Sequence, residues 1–144
     1  MVHIRAERTI AAPPDQVFAW LADPANLTAA RLILKAGWRA DAPGPRLGAI
    51  REAVAVGMWL REEITAYDPP HSYSYLIVKV VPPLEHRGGT LTFTPSGAGT
   101  AVDWQTTYTH PAVIGGRFAE AITSRMLRQG FHQILAGCAK ALEK

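Results

Sequence analysis

A single cysteine, Cys138, stands in 144 residues, so neither an internal disulfide framework nor a multi-cysteine zinc site can form, and a reducing cytoplasm is the expected compartment. Charge is scarce as well. Charged residues make up 19% of the chain, against about 25% in an average globular protein, and the 15 lysines and arginines never gather into a basic run. A net charge of +3 spread this thinly leaves no footprint for nucleic acid or a membrane surface, and neither is expected as a partner. No window approaches the roughly 18 consecutive apolar residues of a membrane span, and Met1-Val2-His3-Ile4-Arg5 carries no apolar signal core. A soluble, unprocessed protein without integral membrane association is expected. The five histidines, His3, His71, His86, His110 and His132, show no His-x-x-x-His spacing and no neighbouring carboxylate set, so no metal is expected. Gly97-Ala98-Gly99 is too short for a dinucleotide fingerprint, and no cofactor is expected.

What is present is apolar and finely punctuated. Hydrophobic residues form 48% of the chain, which excludes disorder, while 11 prolines and 12 glycines, mostly in small groups, exclude a coiled coil or long helical bundle. The length suits one domain, residues 1–144. Val2, Ile4, Ala6 and Ile10 alternate with His3, Arg5, Glu7 and Thr9, the pattern of a strand with one solvated face. Pro13-Pro14 then introduces Val17, Phe18, Trp20 and Leu21 at helical spacing, and Asp23-Pro24 opens a second, shorter helix. Strand character follows over 49–56, 58–67, 72–81, 85–94 and 100–110, separated by turn residues such as Asp68-Pro69-Pro70 and Pro95-Ser96-Gly97. From Gly116 to Leu142 there is no proline and the period becomes helical, with Ala119, Ile122, Thr123, Met126, Leu127, Gly130 and Ile134 on one face. The sequence therefore predicts an α+β domain: a strand, two short helices, an antiparallel meander and one long helix.

These segments resemble the START-like, or Bet v 1-like (SRPBCC), superfamily, in particular its bacterial polyketide cyclase/dehydrase and lipid-transport branch. The resemblance rests on Ile10-Ala11-Ala12-Pro13-Pro14 leading to Val17-Phe18-Ala19-Trp20-Leu21-Ala22-Asp23-Pro24, on Glu63-Ile64-Thr65-Ala66-Tyr67-Asp68-Pro69-Pro70, and on Thr90-Leu91-Thr92-Phe93-Thr94-Pro95 followed by Gly99-Thr100-Ala101-Val102-Asp103-Trp104. It covers nearly the whole chain. The segment Thr28 to Ala30 departs from it by lacking a tryptophan. The resemblance implies a helix-grip fold, a curved antiparallel sheet of about six to seven strands wrapped around the C-terminal helix, with a cavity between them for a hydrophobic or aromatic small molecule such as a lipid, polyketide or quinone. It implies no single activity: carriers, cyclases or dehydratases, and chaperone co-activators share the fold.

Register then nominates the residues of a site. In the last strand Trp104 and Tyr108 share the inward set with Val102 and Thr106. In the strand from Met58, Leu60 and Glu62 fall in the more apolar set, where a carboxyl group would be poised as a general acid or base; if a β-bulge reverses that register, Glu62 instead stands in solvent or pairs with Arg51 or Arg87. His86, beside Arg87 and a bulge at Gly88-Gly89, is the other acid/base candidate, with a solvated edge-strand histidine as its alternative. Tyr73 and Tyr75 share one face: inward they add hydroxyls to the pocket, outward they offer the surface of a homodimer. On the long helix Phe118, Ile122 and Met126 are expected as pocket wall, Thr123 either as a ligand contact or bonded to its own helix carbonyl, and Gly115-Gly116 as the hinge of a lid. The ligand-binding set is thus Leu60, Tyr73, Tyr75, Trp104, Tyr108, Phe118, Ile122, Thr123 and Met126, with Glu62 and His86 catalytic if the protein is an enzyme.

Overall fold

A computed structural model describes residues 1–111 and 115–143. Seven strands, β1 (Val2–Ile10), β2 (Ile33–Trp38), β3 (Ile50–Ala55), β4 (Met58–Asp68), β5 (Ser72–Val81), β6 (Glu85–Ser96) and β7 (Gly99–Thr109), form one antiparallel sheet in the order β1-β7-β6-β5-β4-β3-β2. Helix α1 (Pro14–Ala22) and a 3-10 helix (Pro24–Ala29) follow β1, and α2 (Gly116–Leu142) ends the chain. The architecture is the α+β helix grip that the resemblance implies.

Local chemistry accounts for the joints. Pro14 opens α1, where its missing N–H has no helical partner to lose. Asp23 caps the 3-10 helix by accepting from the Ala25 N–H at 3.0 Å. Gly115, at φ 89°, supplies the left-handed residue from which α2 starts, a conformation that only glycine adopts without strain. The expected lid depends on the loop just before it, whose residues 112–114 lie outside the described residues.

Strand β2 is an addition to the sequence-based expectation. It pairs with β3 alone, at the sheet's edge, and its register slips between Ile33 and Lys35, which leaves Leu34 exposed and breaks the alternation a strand would show. Two further slips shape the inner face. The pairing of β4 with β5 jumps across Val78 and again across Thr65. The first keeps Lys79 opposite Arg61 and exposed, and the second brings Tyr67 against Phe18 at 5.5 Å. Strands β5 and β6 pair only from Ser72 to Tyr75, opposite Thr92 to Gly89, and His86 bridges the gap beyond.

The core occupies one end of the grip. Phe18 packs edge-on against Tyr73 and Phe93, and Trp104 stacks on Phe131 at 3.8 Å between centroids. Every buried residue of α2 falls in its second half: Phe131, Ile134, Leu135, Cys138 and Ala139. From Gly116 to Gly130 none is buried, so the first half of the helix stands off the sheet and leaves the space described next.

Candidate functional site

A cavity of about 170 Å³ lies between the middle of α2, Thr123 to Ile134, and the inner face of the sheet. Small residues make the room. Ala53 and Ala55 on β3, Ala30 after the 3-10 helix and Gly130 on α2 border it, where larger side chains would close the gap. Trp104 and the stacked Phe131 form one end. Leu32, Val56, Met58 and Met126, partly exposed, stand at the mouth.

Of the residues expected at such a site, the structure brings together Leu60, Glu62, Tyr75, His86, Trp104, Tyr108, Thr123 and Met126 around this cavity. Three expectations need correction. Phe118 and Ile122 do not border the cavity; they are 76% and 48% exposed, in the stretch of α2 before Phe131 that buries no residue against the sheet. Tyr73 does point inward, but into the neighbouring core, where its hydroxyl donates to the Leu21 carbonyl at 2.9 Å. Tyr73 and Tyr75 are both buried, so of the two orientations the inward one is found and these tyrosines offer no surface to a second copy.

Most polar groups of the wall are already used. The Ile77 N–H donates to His86 Nδ1 at 2.9 Å, standing in for a strand pairing, which leaves the His86 proton on Nε2 to bond Thr106 Oγ1 at 2.7 Å. Burial pushes the imidazole below its usual range, with Glu62 opposing. His86 therefore has no free lone pair with which to act as a base. Trp104 Nε1 donates to the Tyr75 hydroxyl at 2.9 Å, and burial holds that phenol well above its ordinary pKa. The Tyr75 ring lies over Gly89, where any β-carbon would collide with it. The Tyr108 hydroxyl meets Thr123 Oγ1 at 2.8 Å, while Thr123 donates to the Ala119 carbonyl at 3.0 Å; the hydroxyl expected either to contact a ligand or to bond its own helix does the latter.

Glu62 is buried, so β4 keeps the inward register there, yet it is not an isolated carboxyl. Arg51 Nε donates to Glu62 Oε1 at 2.7 Å, and both residues border the cavity. Burial alone would lower the Arg51 pKa; the Glu62 charge, with smaller help from Tyr73 and Tyr75, outweighs it and raises the net value. The guanidinium stays charged, 5.1 Å from the Tyr75 ring centroid and 5.8 Å from that of Tyr73. The sequence offers Arg51 as a partner for Glu62 only under a reversed register, whereas the two meet with Glu62 facing inward. A stronger signal was present: a two-residue turn at Val56-Gly57 makes Arg51 face Glu62 directly across the β3–β4 hairpin.

Residues 1–143 match the family described as polyketide cyclase / dehydrase and lipid transport. The chain belongs to this family. Proteins of known structure share its fold at low identity. TTHA0849 from Thermus thermophilus is 21% identical with a TM-score of 0.78, over 96% of this chain and 95% of that one. Ara h 8.0201 is 15% identical with a TM-score of 0.67, over 96% and 98%. The Aha1 dimer from Colwellia psychrerythraea is 16% identical with a TM-score of 0.68, over 99% and 97%. No curated protein matches the sequence. Among the described residues no helix is long and apolar enough to cross a membrane.

Proposed function

We propose that this member of the polyketide cyclase/dehydrase and lipid transport family binds a hydrophobic, ring-containing small molecule in the cavity under α2, and that it does so in the cytoplasm as a carrier or receptor. The observation that supports this most is the cavity wall itself, apolar almost throughout and bounded by the Trp104–Phe131 stack. Such walls make ligand pockets, with a few polar groups fixing orientation. The volume narrows the ligand. An apolar cavity of about 150 Å³ holds one benzene ring, so about 170 Å³ suits a single substituted ring or the head of a longer molecule that leaves through the mouth. Leu60, Tyr75, Trp104, Tyr108 and Met126 would contact it, and Thr123 would position Tyr108.

A cyclase or dehydratase reading draws support from one feature, the charged Arg51–Glu62 pair in the wall. It is weakened because both His86 nitrogens are engaged. Binding without turnover is therefore the preferred reading.

Native mass spectrometry of freshly purified protein tests the proposal. A protein population heavier by the mass of one small organic molecule, lost on gentle activation, is the expected result. A homogeneous bare mass that also takes up no aromatic ligand on addition would overturn it.

A further inference from the structure

Two buried side-chain polar atoms among the described residues have no hydrogen-bond partner, Arg51 Nη1 and His110 Nδ1, and of these two residues only Arg51 borders the cavity. Arg51 is 2% exposed. A charged donor buried without an acceptor is costly, and the recorded bonds of its neighbours go elsewhere: Glu62 Oε1 accepts from Arg51 Nε, the Tyr73 hydroxyl donates to the Leu21 carbonyl, and the Tyr75 hydroxyl accepts from Trp104 Nε1. An oxygen atom brought into the cavity beside Arg51 is one acceptor that would answer it. Arg51 and Glu62 are also the only charged residues bordering it among those described, and they cancel.

We infer that Glu62 sets the charge preference of the cavity: by neutralising Arg51 it makes the buried guanidinium a docking point for the carbonyl or hydroxyl oxygen of a neutral ring compound and turns carboxylates away. A neutral oxygen satisfies Nη1 without altering the net charge of the wall. A carboxylate would set a second anion beside Glu62 against one cation, in surroundings too apolar to screen it. This assignment rests on the ligand-binding reading above and specifies the chemistry of that same site.

The test compares three probes of one size on the full chain, followed by protein NMR shifts at pH 7. Acetophenone carries the acceptor, cumene replaces its oxygen with a methyl group, and benzoate carries the negative charge. The expected order is acetophenone tightest, by about tenfold or more over cumene, with benzoate weakest. In Glu62→Gln, benzoate gains affinity and overtakes acetophenone. The paired variant Arg51→Met/Glu62→Met keeps an apolar wall, folds without either charge, and binds acetophenone no better than cumene. Equal affinity of the wild-type protein for acetophenone and cumene, or for acetophenone and benzoate, overturns the inference while leaving ring binding intact. Absence of any shift with all three probes overturns the ligand-binding reading, and the inference with it.

Discussion

Arg51 and Glu62 hold each other in place. Replacing Arg51 by Met strands a buried carboxylate, and the expected loss is about 3–5 kcal/mol of unfolding free energy in urea titration. The double replacement Arg51→Met/Glu62→Met should recover most of it, since a well-packed apolar pair of similar volume is often as stable as a buried ion pair. If the single variant is as stable as wild type, the pair is not buried as described. His86 makes a second prediction at the same level. Its ring is held neutral, with a folded-state pKa depressed below 6.5 by burial. The unfolded chain therefore takes up a proton first as pH falls, so this contribution is complete above about pH 6.5 and is lost as the pH drops toward the depressed value. Thermal melts between pH 7.5 and 5 should show a smaller decline for His86→Gln than for wild type. Equal declines would place the titration elsewhere. Glu62 was legible from its alternation with Leu60 and Ile64; its partner and the engagement of His86 were not, because both depend on which strands lie opposite.

Helix α2 divides into a packed half and a lifted half, and two of its glycines report the division. At Gly137 an added β-carbon would stand 2.8 Å from the Ala29 Cβ, with the Trp20 ring at 3.4 Å. Gly137→Ala should destabilise by about 1–3 kcal/mol through overpacking. At Gly130 the nearest atom is the Ala30 Cβ at 3.6 Å, an ordinary contact. Gly130→Ala should stabilise by about 0.5–1 kcal/mol, the helix-propensity gain. Denaturant midpoints of the two variants shifting in the same direction would contradict the difference in spacing. The helix bounds and strands β1 and β3 to β7 were readable from period and punctuation. The face of α2 was readable only in part. Its apolar stripe identifies a side, but Phe118 and Ile122 show that a stripe continues past the point where the sheet stops covering it. Strand β2 was hidden for a different reason: an edge strand with a bulge at Leu34 has neither the alternation nor the burial that mark a strand.

Taken as one molecule, the chain spends its apolar content in two places. One is the aromatic core around Phe18, Tyr73 and Phe93, and the other is the wall of the cavity under the middle of α2. The fold was legible because turn residues and periods all point the same way. The cavity was not, since small residues such as Ala53, Ala55 and Gly130 look the same in sequence whether they let elements touch or hold them apart. The three methionines provide the most direct test of ligand binding. Met58 and Met126 border the cavity, whereas Met1 is exposed and does not line it. With carbon-13 in the methionine methyl groups, titration with acetophenone should move the Met58 and Met126 signals by ring-current shifts and leave Met1 unmoved. Signals that all stay in place, or that all move together, would contradict a ring bound beneath α2.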